Sequence, residues 1–276
     1  RVGYPQLTIE QIPNMPPKKL YESQTFEIGF RICNNGVFDA SNGFVSLSGF
    51  DSTYISTDIS SLEFPSFGSV LEGKNALNPG GSCTNLLTFP AQVIYVEDGV
   101  AEYKAPYYLN IQSSQLFELS QTVCVGGTTA YLVKDGGCDL DAPITLNGQG
   151  ASLGVSRIDT IAQGDKIIFG VQLKNGGSGS VEGATIVRAQ LGGEPLECVF
   201  KKTKTKTYSA DNDKNKRDGA QGVPSIFCEA AMSADMPTYP TTLFLQVFYD
   251  YDQFEINELL IEGSGINNNN NNNLFS

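Results

Sequence analysis

Twice along this chain a run that alternates apolar and polar residues stops on an asparagine–glycine cluster. The first copy is Phe26-Glu27-Ile28-Gly29-Phe30-Arg31-Ile32-Cys33-Asn34-Asn35-Gly36; the second is Ile168-Phe169-Gly170-Val171-Gln172-Leu173-Lys174-Asn175-Gly176-Gly177. Successive side chains on a strand point to opposite faces, so a period of two commits one face to a core and the other to solvent. Each copy follows another strand-forming run, at residues 7–12 and 153–161, and precedes a further apolar strand, at 43–47 and 184–189. One all-β unit is therefore used twice, about 140 residues apart.

At 276 residues the chain has room for two modules that each bury a core. The expected fold class is all-β, two tandem immunoglobulin-like β-sandwich domains. The boundaries are residues 1–125 for the first, a glycine-rich junction at 126–150, 151–262 for the second, and an asparagine-rich tail at 263–276. Further strands are expected at 85–89, 91–96, 107–111 and 116–125 in the first module. In the second, strands at 241–249 and 254–261 are expected to flank a turn, Asp250-Tyr251-Asp252-Gln253. Residues 52–74, rich in Ser, Gly and Pro, read as a longer excursion, and helical periodicity is limited to a short turn near 228–234.

The six cysteines are Cys33, Cys83, Cys124, Cys138, Cys198 and Cys228; none forms a Cys-x-x-Cys motif, and histidine is absent. That removes the usual zinc and redox arrangements. Pairing between sequence neighbours fits the strands best. Cys33–Cys83 would join two strands, Cys124–Cys138 would close a loop at the junction, and Cys198–Cys228 would tie the neck of a hairpin; buried free thiols are the alternative. Each bridge would stabilise by about 2–4 kcal/mol, and three of them imply an oxidising, extracellular location.

A net charge of -12 argues against nucleic-acid binding, which relies on Lys and Arg. No apolar stretch reaches the length of a transmembrane helix. The chain opens on Arg1 without a basic-then-apolar leader and reads as a processed or truncated form. Without histidine, Ser-His-Asp and Cys-His nucleophile systems are unavailable, and no nucleophile elbow or phosphate loop is visible, so the chain reads as a non-enzyme with no cofactor. Asp139 and Asp141, near Asp135, could hold a structural calcium at the junction, with Asp250 and Asp252 as a second pair; neither follows a twelve-residue calcium loop, and solvated turn aspartates are the alternative.

The basic hairpin insertion at 201–217 gathers Lys201, Lys202, Lys204, Lys206, Lys214, Lys216 and Arg217 in an otherwise acidic chain. It could dock electrostatically on an acidic partner, including the next copy of this protein, or be a mobile solvated loop. The strand at 7–12 could complete a sheet in a neighbouring copy, against in-chain pairing. Tyr103, Tyr107, Tyr108, Phe248, Tyr249 and Tyr251 could stack on sugars, though they are also ordinary strand formers.

The two strand stops continue as Phe38-Asp39-Ala40 and Ser178-Gly179-Ser180-Val181. With Cys124, Cys138, Gly148-Gln149-Gly150-Ala151, the Cys198…Cys228 hairpin and Phe248-Tyr249-Asp250-Tyr251, they resemble the CARDB-type immunoglobulin-like domains of archaeal cell-surface and S-layer-related proteins. That resemblance implies an exported, C-terminally anchored protein of structural role, without catalytic residues. The chain departs from it in lacking a C-terminal membrane helix and in its long basic insertion. The resulting expectation is a non-enzymatic extracellular structural protein at the cell surface. It would self-associate into a homopolymer, a layer or filament held by strand and charge contacts, and could meet other cell-envelope proteins or glycans. A surface adhesin or glycan/protein-binding module is the alternative.

Overall fold

The computed structural model describes residues 6–65, 69–97, 99–129, 137–147, 150–210 and 224–263. Asp135, Lys214, Lys216, Arg217 and the asparagine run 267–273 lie outside them. The described chain is all-β, with no α-helix among its residues. The first half contributes β1 (Leu7–Gln11), β2 (Leu20–Tyr21), β3 (Thr25–Asn34), β4 (Ala40–Ser48), β5 (Ile55–Thr57), β6 (Ser61–Phe64), β7 (Leu87–Val93) and β8 (Glu102–Val125). The second contributes β9 (Ile144–Thr145), β10 (Leu153–Gln163), β11 (Lys166–Asn175), β12 (Ser180–Leu191) and β13 (Glu194–Pro195). It ends with β14 (Glu197–Phe200), β15 (Thr207–Ser209), β16 (Ile226–Ala231) and β17 (Tyr239–Glu262).

Three sheets form: β1-β3-β7-β5, β14-β16-β11-β10-β9, and an eight-stranded sheet that runs β13-β12-β17-β8-β4-β6, with β15 beside β12 and β2 beside β17. The two halves use matching connections. β1 pairs β3 with Leu7 opposite Asn34, and β10 pairs β11 with Leu153 opposite Asn175. β3 then pairs β7 as β11 pairs β16, and β4 pairs β8 as β12 pairs β17.

The asparagine–glycine stops are the same device in both halves. Asn34 Oδ1 accepts the Gly36 N–H at 3.0 Å while its Nδ2 donates to the Phe38 carbonyl at 2.8 Å. Asn175 Oδ1 accepts the Gly177 N–H at 3.0 Å while its Nδ2 donates to the Gly179 carbonyl at 2.6 Å. The side chain supplies turn hydrogen bonds that the ladder no longer offers. Glycine follows because space is missing: a Cβ on Gly36 would lie 2.6 Å from Gln6 Cγ, and one on Gly177 would lie 2.1 Å from the Tyr251 hydroxyl.

The halves are joined through β8 and β17. Each is 24 residues long, and they pair antiparallel without a register shift from Glu102↔Glu262 to Val125↔Tyr239. Odd-numbered residues of both strands face inward. Ala105, Tyr107, Leu109 and Ile111 of β8 lie in the first core together with Leu259 and Ile261 of β17. Phe117, Leu119, Val123 and Val125 of β8 lie in the second core with Leu243, Leu245 and Val247. Each long strand thus begins in its own half and ends in the other. The two cores exchange segments relative to a division of the chain at 125 and 151, and Asp250-Tyr251-Asp252-Gln253 is continuous strand where a turn was expected.

Between the cores lies a polar seam. Among the described residues the buried polar ones, Gln6, Asn34, Ser113, Gln115, Ser152 and Gln253, lie on the segments that meet there. Tyr249 donates its hydroxyl proton to Gln115 Oε1 at 2.7 Å, and Gln115 Nε2 donates to Ser113 Oγ at 2.9 Å. The Gln6 N–H donates to Ser152 Oγ at 3.2 Å, and Gln253 Nε2 to the Leu7 carbonyl at 3.0 Å. Buried polar groups need such partners, and these give the long strands polar inward positions where an apolar run would otherwise continue.

The basic insertion is not a simple hairpin. β14 pairs β16, but β15 crosses to the eight-stranded sheet and pairs β12. Tyr208 explains the crossing: it is buried, its ring 6.0 Å from that of Phe200, and it holds residues 207–209 against the second core. The strand at residues 7–11 pairs within the chain, on β3. Side chains of β17 reach its backbone, since Leu7 C=O accepts from Gln253 and Ile9 N–H donates to the Glu255 carboxylate. β1 is nevertheless an edge strand of its sheet, with β3 as its one strand neighbour.

Candidate functional site

The outer face of the eight-stranded sheet carries the even-numbered residues of β8 and β17. Where the two halves meet, this face and the 178–180 turn bound an open cleft of about 520 Å³. Its floor is laid out by register. Asp252 lies opposite Gln112 and Ser180, Phe254 lies opposite Asn110, and Tyr108 lies opposite Ser48. The turn is held down from beneath, because the Gly179 N–H donates to the Tyr251 hydroxyl at 2.7 Å.

Two acceptors in this cleft lack a donor. Asp252 Oδ1 and Asn110 Oδ1 are both shielded from solvent and without a hydrogen-bond partner. Loss of solvent raises the Asp252 carboxyl above its ordinary range, with the nearby Glu182 charge acting in the same sense; hydrogen bonds from Gln112 and Asn110 oppose the shift. Phe254 is 64% exposed and Tyr108 38% exposed beside them.

The residues singled out from sequence are scattered. Asp139 and Asp141 are both exposed, and Asp139 Oδ1 accepts the Asp141 N–H at 2.9 Å, so the pair forms its own turn. Asp250 is exposed and accepts from Ser114 Oγ at 2.9 Å. Among the described residues the one group of three convergent metal-ligand side chains is Glu10 with Cys33 and Cys83, whose sulfurs are bonded to each other. Lys201, Lys202, Lys204 and Lys206 are exposed on the turn between β14 and β15, with Lys201 Nζ 5.3 Å from the Phe227 ring centre. Of the aromatic residues, Tyr103 packs on Tyr54 at 4.6 Å and Tyr107 on Phe50 at 5.5 Å, while Tyr249 and Tyr251 are buried in the seam; Tyr108 and Phe248 face outward. Burial pushes the Tyr107 hydroxyl up to about 12, as befits a structural group. Asn110 and Phe254 were missed from sequence; the signal for them is their even parity beside the inward Leu109, Ile111 and Tyr251.

The six cysteines form Cys33–Cys83, Cys124–Cys138 and Cys198–Cys228, the last directly opposed across β14 and β16. Three disulfides belong to an oxidising compartment. Among the described residues no helix is long and apolar enough to cross a membrane.

No family model and no curated protein matches the chain. Among solved structures it is similar to the E. coli chaperone DraB at 6% identity, over 82% of this chain and 85% of that one, with a TM-score of 0.19. It is similar to the YadV chaperone at 8% identity, over 92% of this chain and 100% of that one, with a TM-score of 0.20. It is also similar to the secreted serine protease VesC from Vibrio cholerae at 11% identity, with a TM-score of 0.21; this match takes in 93% of this chain and 51% of VesC, about half the length of that protein. Likenesses this distant carry no argument about fold or function.

Proposed function

We propose that this chain is a non-enzymatic extracellular structural protein of a cell surface, with immunoglobulin-like modules, that assembles with copies of itself into a layer or filament. The observation that carries the reading is the shared strand pair. Two 24-residue strands, each about 80 Å long at some 3.3 Å per residue, make one body of both halves. A rigid building block with three disulfides suits a structural role better than a hinged pair of binding domains. The CARDB-type resemblance of the strand stops agrees with this reading. Copies would meet through strand and charge contacts: β1 lies at a sheet edge, and the exposed turn bearing Lys201, Lys202, Lys204 and Lys206 would meet the acidic remainder of a neighbour.

The test is light scattering with negative-stain imaging of the purified protein across salt concentration. Ordered assemblies at low salt that dissolve as screening rises, and that are lost when the four lysines are changed to glutamate, support the reading. Monomers at every salt and pH would overturn it.

A further inference from the structure

Along β17 the usual assignment of polar and apolar faces reverses between residues 253 and 257. The inward positions Gln253, Glu255 and Asn257 are polar, whereas the outward ones, Phe254 and Ile256, are apolar and 64% and 63% exposed. The inward polarity has an internal use: Gln253 Nε2 donates to the Leu7 carbonyl, and the Glu255 carboxylate accepts the Ile9 N–H. The outward pair is left open. Register extends it into a patch, with Tyr108 directly opposite Ile256 and Phe44, 45% exposed, on the next strand, β4. Together the four side chains expose on the order of 400 Å² of mostly apolar surface, the size at which a patch marks an interaction site.

The surroundings of the patch are acidic. On β4, β6, β8 and β17 every charged outward side chain except Lys104 is an Asp or Glu, and Lys104 is paired with Glu258 at 3.2 Å. The same face of a second copy, laid back to back, would therefore be repelled. A fitting partner brings positive charge on apolar stems. The turn between β14 and β15 does so, with Lys201, Lys202, Lys204 and Lys206 all exposed. Lysine stems cover apolar surface while their ammonium groups meet carboxylates and aromatic faces. The turn is also preformed, so little order is lost on docking. Its Lys204 N–H donates to the Phe200 carbonyl at 2.9 Å, the Phe200 N–H to the Thr205 carbonyl at 2.8 Å, and the Lys206 carbonyl accepts the Ile186 N–H at 2.9 Å.

The turn of one chain is too far from its own patch. It stands beside Ile186, which pairs Val247, and Ile256 lies a further stretch of β17 away, about 30 Å of strand. We propose that the face formed by Phe44, Tyr108, Phe254 and Ile256 receives the 201–206 turn of a second copy. Lysine stems lie on the rings, and ammonium groups meet Glu63 and Asp250 at the rim. The inference rests on the assembly reading and gives it a direction: donor and acceptor are different surfaces of one chain, so copies add head to tail.

Two full-length variants test the pairing, one carrying Lys201→Glu, Lys202→Glu, Lys204→Glu and Lys206→Glu, the other Glu63→Lys and Asp250→Lys. Each alone is expected to stay monomeric by light scattering at low salt, and their equimolar mixture to assemble, because each presents the charge that the other needs. Phe254→Thr with Ile256→Thr is expected to raise the protein concentration required for assembly at least about tenfold with the thermal midpoint unchanged. A photoreactive benzoylphenylalanine in place of Phe254 is expected to cross-link to residues 201–206 of another copy. Where the unaltered protein assembles, three results overturn the docking face and leave the layer or filament standing. These are a mixture that stays monomeric, assembly indifferent to the threonine changes, and a cross-link that maps elsewhere, residues 264–276 of the same chain included. Where the unaltered protein is monomeric at every salt the polymer falls, and the docking face stands or falls with the cross-link between copies.

Discussion

Residues 151–262 should not fold by themselves, although their sequence contains a complete set of strand-forming runs. In the structure the second core is closed by β8, a strand from the other half. Removing it uncovers the sites filled by Phe117, Leu119, Val123 and Val125, each at most 5% exposed in the intact chain. At about 1.5–3 kcal/mol for each buried side chain, the loss is roughly 6–12 kcal/mol. A domain of this size has a total stability of about 5–15 kcal/mol, so little or none remains. The fragment also loses β8 as a partner strand along the whole of β17, from Tyr239 to Glu262. Expressed alone, the fragment is expected to give a collapsed NMR spectrum with no cooperative thermal transition. A longer piece that begins at residue 102 is expected to recover both. A dispersed spectrum and sharp unfolding from residues 151–262 alone, with a midpoint near that of the full chain, would refute the claim that the cores share strands.

Two further outcomes follow from the seam and the cleft. Asn34→Ala should cost about 2–4 kcal/mol and Asn175→Ala about half as much by chemical denaturation, because Asn34 is fully buried and also donates to the Leu71 carbonyl at 2.8 Å. Equal costs would mean the two stops are not set apart by burial. Asp252 and Glu255 have carboxyls raised by burial, so each contributes stability that is present at low pH and is lost as pH climbs through its folded-state value. Asp252→Asn should therefore raise the thermal midpoint at neutral pH, and the gain should vanish as the carboxylate range is crossed downward; a gain that persists at acid pH counts against desolvation of Asp252 as the cause.

What was legible in the sequence is the part governed by local alternation. Phe26, Ile28, Phe30 and Ile32 read as one inward face and are one, and the stops at Asn34 and Asn175 mark true strand ends because their side chains replace the ladder. The shared strands were illegible for a physical reason. At the seam the inward positions are Ser113, Gln115 and Gln253; Gln115 and Gln253 bond to residues from distant parts of the chain, and Ser113 bonds to Gln115. Polar residues at three inward places look like turns, and a 24-residue strand was read as two short ones on each side. The cleft was hidden for the same reason. Asp252 was read as a turn residue when it lies on the outward face of a continuous strand, two positions from Phe254. The path of residues 207–209 was lost as well, since one buried tyrosine within a run of lysines gives no periodic signal.

The shared pair also decides how the molecule bears a pull along its length. Two modules that merely touch would separate when the interface gives way, one weak contact at a time. Here the backbone of β8 and the backbone of β17 both pass through the seam, so tension between the far ends travels through covalent chain. For the halves to part, the long strands must slide past one another, which loads their hydrogen bonds together in shear.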